Sequence, residues 1–248
     1  MRKKFYFAIS IIATVGCIQQ AAAQKSTIKF EAGIGLSGFI YQGDLTPSQL
    51  GSYRTLRPGI SLWGARMLNP FLSLRGVINL GGLHGNDSKY ATPKYRQQRN
   101  FSFSSSLLEI SVLAIYNFSG INEYIKLSPY VFAGLGFLFL KTNTDYSGFN
   151  ASFFGSESWV VSGLGTDIAH GPAQRIPIIP LGAGVRYPIS SYLSIAFETN
   201  YRLFYTDYLD GFSRSAGASK KDHYYSHSLS LIYAFSNDKS IKCPVIKP

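Results

Sequence analysis

The sequence predicts an all-β fold: an eight-stranded antiparallel transmembrane β-barrel of small, OmpA-like size. The first observation is the stretch Tyr192–Phe212, where apolar residues alternate with small or polar ones for about 11 positions, the length of a tilted strand that crosses a bilayer. The second is composition, because charged residues make up only 15% of the 248 residues, and aromatic residues also 15%. The third is the regular alternation of long polar connections with short turns, which is typical of outer-membrane barrels.

Each strand is predicted from the same alternation at period two. In the first strand, Ala32, Ile34 and Leu36 share one face, whereas Gly33 and Gly35 share the other. Glycine, proline and clustered polar residues interrupt the pattern and set the boundaries. The predicted strands are residues 28–41, 55–68, 71–84, 101–118, 129–140, 175–187, 192–203 and 223–235.

The second strand has no clear phase, because Trp63 and Arg66 fit poorly on one pattern. Phe204 and Tyr205 at the end of the seventh strand are predicted to belong to an aromatic girdle. Long connections follow strands one, three, five and seven, so we expect these loops outside and the short turns in the periplasm. The longest loop is predicted over residues 141–174, which are rich in serine, glycine and aromatic residues.

The N-terminus has the pattern of a secretory signal peptide. A basic start is followed by an apolar stretch, residues 5–17, and by the small residues Ala21–Ala23. We therefore expect a signal peptide over residues 1–24, cleaved near Ala23 and Gln24, then a barrel over 25–236 and a periplasmic tail over 237–248. The alternatives are a retained anchor helix and lipoprotein processing at Cys17. The expected location is the outer membrane.

The chain is basic, with a formal net charge of +11 that falls to +8 when Arg2, Lys3 and Lys4 leave with the signal peptide. Export and strand-rich character argue against nucleic acid as the partner. The expected anionic partners are outer-membrane lipid and lipopolysaccharide, contacted through Lys220, Lys221 and the basic region 89–99.

Six charged residues fall on the inward phase of the strands. They comprise three carboxylates and three guanidiniums, and a charge in a narrow lumen is tolerated when it is paired. We interpret them as an ion-pair plug, with a proton relay or a selective pore as the alternative. The residues are Glu31, Arg75, Glu109, Arg186, Glu198 and Arg202.

Other sites are not indicated by the sequence. No nucleophile–base pair stands out, so we do not expect an enzyme. The glycines of 33–38 match a dinucleotide motif, but the strand pattern continues through them and no helix follows. His223 and His227 would lie about 13 Å apart on one strand face, too far for a shared metal. Asp44, Asp207 and Asp210 lie in outer loops; the last two could bind calcium, although a solvated loop is the plainer interpretation. No cofactor is expected.

Several stretches together resemble one known family: residues 31–36, 43–45, 103–109, 129–134, 179–185 and 206–210. Their order and spacing are similar to those of the PorG-like outer-membrane barrels of the Bacteroidota type IX secretion machinery. Family members carry a further acidic residue after the Tyr-Leu-Asp stretch, whereas Gly211 and Phe212 stand here.

The resemblance implies a structural role in a type IX secretion or gliding assembly. The barrel would anchor a periplasmic ring to the outer membrane through a ring lipoprotein. The periplasmic turns and the tail would form the docking surface, with Lys239, Lys242, Cys243 and Lys247 as candidate contacts. The alternative is a small porin or an adhesin-like surface barrel without a secretion role.

Overall fold

The computed structural model describes residues 28–48, 50–120, 127–206, 208–217 and 222–236. Within them, eight antiparallel strands pair in chain order and β1 pairs with β8, which closes the barrel. The predicted fold class is therefore confirmed. The strands are β1 (Ile28–Gln42), β2 (Arg57–Met67), β3 (Leu72–Asn86), β4 (Ser102–Asn117), β5 (Ser128–Asp145), β6 (Arg175–Pro188), β7 (Leu193–Leu203) and β8 (His223–Ser236).

Four short helices lie in the long connections, all at one end of the barrel, which we call the outer end. They are α1 (Tyr95–Arg99), α2 (Ala151–Phe154), α3 (Trp159–His170) and α4 (Ser213–Ala216). Single 3₁₀ turns occupy Tyr53–Thr55 and Asp87–Lys89. None of the helices in the described ranges has the length and apolar character needed to span a bilayer.

The outer wall carries an apolar band, because aliphatic side chains on alternate strand positions face away from the barrel. Leu36 and Leu135 are 72% and 70% exposed. Aromatic side chains surround the end with the short turns: Phe30, Tyr116, Phe118, Tyr187, Tyr192, Tyr233 and Phe235. Along β8 the outward positions from Tyr225 to Phe235 span roughly 33 Å, or roughly 25 Å along the barrel axis at a ~40° tilt. These features are those of an outer-membrane β-barrel.

The interior is filled by two apolar clusters with polar layers between them. The inner cluster, toward the short turns, includes Trp63, Leu113, Ile115 and Phe132. Glycines make room for the large rings: a Cβ added at Gly33 would lie 2.3 Å from the Trp63 ring. The outer cluster joins residues of the upper strands and of the long loops.

The structure also corrects several details of the sequence analysis. Trp63 faces inward, whereas Arg66 lies exposed near the inner end of the same strand, and this settles the phase of β2. Phe204 does not join an outward girdle, because it is buried in the outer cluster, while Tyr205 is 86% exposed. β5 continues to Asp145 and not only to residue 140, and the connection predicted as a loop over 141–174 contains α2 and α3.

Candidate functional site

Three ion pairs cross the lumen, and they use all six of the inward charges that the sequence singled out. Arg202 Nε lies 3.0 Å from Glu109 Oε2, Arg186 Nη1 lies 2.7 Å from Glu31 Oε1, and Arg75 pairs with Glu198. No pair joins neighbouring strands: the partners lie on β7 and β4, on β6 and β1, and on β3 and β7. Each pair therefore links strands on different sides of the barrel.

Glu109 is the centre of the uppermost interior network. Its carboxylate is fully buried and accepts hydrogen bonds from Arg202 Nε at 3.0 Å, Tyr224 Oη at 2.9 Å and Asn79 Nδ2 at 2.9 Å. Asn79 Oδ1 accepts in turn from Ser61 Oγ at 2.5 Å. Ser111 Oγ also donates to this carboxylate, at 3.4 Å. The carboxylate thus connects four strands, and its charge is met by one guanidinium and three neutral donors.

The lower pairs close the rest of the lumen. Glu198 accepts from Arg75 and, at 2.6 Å, from Tyr130 Oη. The Arg75 guanidinium also lies over the Trp63 ring, 4.0 Å from its centroid, which adds a cation–π contact. The Arg186–Glu31 contact is short but lacks hydrogen-bond geometry, so its attraction is coulombic. These contacts fill the barrel with paired charges and rings.

The long loops pack over the outer end and seal it. Phe101 and Phe212 stack with their ring centroids 4.5 Å apart, and Tyr41 meets Phe103 edge-on at 4.8 Å. Leu45 from the first loop and Val160 and Leu164 from α3 are buried in the same cluster. The loops therefore form a folded cap rather than a set of independent surface segments.

Asp87 is the main polar anchor of this cap. Arg99 donates from Nε to Asp87 Oδ2 at 2.6 Å, and Arg96 donates from Nη1 to Asp87 Oδ1 at 2.8 Å. The same guanidiniums donate to the backbone carbonyls of Thr46, at 3.0 Å, and Ala216, at 2.8 Å. Burial by itself would lower the pKa of Arg99, but its contacts with Asp87 outweigh that effect and raise this pKa. Asp87 and the two arginines that it holds thus join the first, second and fourth long loops.

A second carboxylate ties the third loop to the fourth. Asp167 in α3 accepts from the backbone N–H groups of Arg214 and Ser215, at 2.9 and 2.8 Å, and from Ser215 Oγ at 2.6 Å. A Cβ added at Gly163 would lie 2.7 Å from the Arg214 carbonyl group, so only glycine allows this approach. The helix that the sequence analysis missed is therefore part of the cap.

The two predicted outer-loop aspartates that the structure describes, Asp44 and Asp210, are not solvated. Asp44 and Asp210 are 6% and 1% exposed, and the Tyr41 hydroxyl lies 2.6 Å from Asp210 Oδ2. Asp207 lies outside the described residues, as do the docking candidates Lys239, Lys242, Cys243 and Lys247 and the predicted signal peptide. Among the residues that the structure does describe, no group of three or more His, Cys, Asp or Glu side chains could hold a metal ion.

The basic region of the second loop, residues 89–99, contains both buried and exposed cations. Arg96 and Arg99 are buried against Asp87 and do not face lipid, whereas Lys89 and Lys94 are exposed. Sequence reasoning had no signal for the Asp87 contacts. The two arginines are spaced for one face of a helix, but nothing in the pattern identifies a partner in the preceding turn.

A hydroxyl–imidazole contact occurs on the outer wall. Thr199 Oγ1 lies 3.0 Å from His227 Nδ1, and the Tyr53 hydroxyl lies 2.9 Å from His227 Nε2. In a catalytic triad the second ring nitrogen is oriented by a carboxylate, whereas here it meets a phenol. The contact fastens the first loop to the outside of β8, and it lacks the third group of a hydrolase.

A family model described as a domain of unknown function, DUF6089, matches residues 7–243 of the chain. No curated protein matches it in sequence. Among solved structures, it is similar to Ail, the attachment invasion locus protein of Yersinia pestis, with 13% identity and a TM-score of 0.46 over 84% of this chain and 99% of that one.

Neisserial surface protein A is 15% identical, with a TM-score of 0.46 over 83% of this chain and 97% of that one. The outer membrane enzyme PagL is 12% identical, with a TM-score of 0.37 over 81% and 97% of the two chains. At these values, neither an activity nor a ligand can be transferred to this chain.

Proposed function

The chain belongs to the DUF6089 family, whose function is unknown, and from the geometry of its barrel we propose that it is a structural anchor in the outer membrane for a periplasmic assembly. The observation that carries the proposal is the closed interior. Three ion pairs cross the lumen, and the long loops are packed into a cap over its outer end. A barrel filled in this way is suited to rigidity and poorly suited to transport.

The partner we propose is the periplasmic ring of a type IX secretion or gliding apparatus, reached through a ring lipoprotein. This part of the proposal is supported by the sequence resemblance to PorG-like barrels. The anchor role needs no catalytic group, and we propose that the protein is not an enzyme. Its contact surface would be the short periplasmic turns and the tail, residues 237–248.

A second candidate is an adhesin-like surface barrel, and one observation favours it. The cap presents large exposed side chains, among them Phe153 at 56%, Trp159 at 59% and Tyr205 at 86%. Exposed aromatic side chains are common at protein-binding surfaces. Under this alternative, the outer cap and not the periplasmic side would contact the partner.

One truncation and one triple substitution separate the candidates. Deleting residues 238–248 should leave barrel insertion intact and abolish both secretion of type IX cargo and capture of periplasmic partners from gently solubilised membranes. The matched control replaces Phe153, Trp159 and Tyr205 together by serine, and secretion should then persist. If deletion of the whole gene leaves secretion unchanged, the secretion role is wrong and the surface-barrel candidate replaces it.

A further inference from the structure

Two cations on different loops are held together on the outer side of the barrel. Arg54 lies in the turn before β2, and Lys89 lies in the turn after β3. Arg54 Nη1 donates to the Lys89 carbonyl at 3.0 Å, and Lys89 Nζ donates to the Arg54 carbonyl at 3.1 Å. These reciprocal bonds join the two turns and hold both cations on one side of the barrel, where an anion would be attracted to both of them.

Arg57 at the start of β2 adds a third exposed cation. A Cβ added at Gly82 of β3 would lie 3.9 Å from the Cβ and Cγ atoms of Arg57, so the Arg57 stem lies along the neighbouring strand. Arg57 lies three residues after Arg54 in sequence, and Lys89 is joined to Arg54 by the reciprocal hydrogen bonds. Arg54, Arg57 and Lys89 therefore form one group, which we call the basic cluster.

The basic cluster has no acidic partner within the described part of the chain. The ion pairs found there involve other residues throughout. Asp87 is the acidic residue nearest to Lys89 in sequence, and it is fully buried and engaged by Arg96 and Arg99. The three positive charges are thus left to an external anion.

The cluster stands directly above the lipid-facing wall. On β2 and β3 the outward side chains of Ile60, Leu62 and Leu80 are 45%, 44% and 47% exposed. Arg57 precedes Ile60 by three residues, or about 10 Å along the strand. An acyl chain packed against these aliphatic side chains would place its polar headgroup at the height of the basic cluster.

We propose that the basic cluster binds the phosphate groups of an outer-leaflet lipid, with the lipid's acyl chains against β2 and β3. Guanidinium and ammonium groups are the usual ligands of phosphate, and the aliphatic wall below them favours a lipid over a soluble anion. The site depends on the barrel's place in the outer membrane and does not depend on its role as an anchor.

The test measures binding of lipid A to the full-length detergent-solubilised barrel by native mass spectrometry. The variant replaces Arg54, Arg57 and Lys89 by glutamine. The matched control makes the same change at three exposed cations elsewhere on the strands, Arg66, Lys141 and Arg175. Unchanged heat-modifiable gel mobility identifies folded protein in every sample.

The cluster variant should bind lipid A about fivefold more weakly for each cation removed, and on the order of a hundredfold in total, while the control stays near wild type. Dephosphorylated lipid A should bind the wild type weakly. Equal losses in variant and control would overturn the site, as would wild-type affinity in the cluster variant. Competition by inorganic pyrophosphate at the same concentration would identify a soluble anion as the ligand and overturn the lipid assignment.

Discussion

The substitution Glu109→Ala tests whether the lumen is a dry, paired plug. Glu109 is 0% exposed, and its partner Arg202 is 1% exposed. Removing the carboxylate leaves a buried guanidinium without its counter-charge, which costs about 3–5 kcal/mol. The donors of Tyr224 and Asn79 also lose their acceptor, and each adds about 1–3 kcal/mol unless it finds another partner. We therefore expect the free energy of unfolding to fall by at least about 3 kcal/mol.

The measurement is urea-induced unfolding of the barrel in phosphatidylcholine vesicles, followed by tryptophan fluorescence and heat-modifiable mobility. The double variant Glu109→Leu with Arg202→Met removes both charges and should cost less than Glu109→Ala alone. The exposed Ser104 on the same strand supplies the surface control, because Ser104→Ala should stay within about 0.5 kcal/mol of wild type. A loss below about 1 kcal/mol for Glu109→Ala would mean that water solvates Arg202, and the plug interpretation would be wrong.

Three further predictions concern the wall, the cap and the N-terminus. Leu231→Arg on the lipid face should cost about 2–4 kcal/mol, whereas Ser230→Arg points into a filled interior and should prevent folding; equal effects in a refolding assay would contradict the strand phase. Asp87→Asn weakens the anchor of two buried guanidiniums, so the outer loops should become sensitive to added protease while the barrel keeps its heat-modifiable mobility; resistant loops would show that the apolar cluster alone holds the cap. The mature chain should begin near Gln24 by N-terminal sequencing, and a lipid-modified Cys17 would refute this.

The strands could be predicted because each one has lipid on one side and the barrel interior on the other. This arrangement imposes an alternation of apolar and small or polar residues along every strand, whichever strands lie next to it. β1, predicted as 28–41, is Ile28–Gln42, and β8, predicted as 223–235, is His223–Ser236. The exception was β2, whose phase the sequence left open. Its Trp63 ring points into the barrel, where Gly33 of the neighbouring strand leaves room for it.

The interior charges illustrate the limit of such reasoning. The alternation identified the six inward residues, but the pairing depends on which residues reach the same height across the closed barrel. Glu198 and Arg202 are neighbours on one face of β7, yet they pair with Arg75 and Glu109. Those partners lie 123 and 93 residues away in sequence, and only the closure of the whole sheet brings them together.

The contacts that hold the cap together could not be predicted from the sequence, although one of its helices could have been. Asp87 and its two arginines lie in one loop, but the arginines also donate to the carbonyl groups of Thr46 and Ala216 in two other loops, and no local pattern encodes that convergence. The helix α3 did have a local signal. Ser158 caps it by accepting from Val160 N–H at 3.2 Å, and Val160 and Leu164, four residues apart, form its buried face.

Planar-bilayer recording of the purified full-length protein tests most directly whether this barrel is closed to ions. Because three ion pairs cross the lumen and the long loops pack over its outer end, the wild type should show no steady conductance. Glu109→Ala, which loosens the uppermost ion pair, serves as the comparison under the same voltage and salt. Regular channel openings by the wild-type barrel would contradict the closed interior and favour the porin alternative over the anchor.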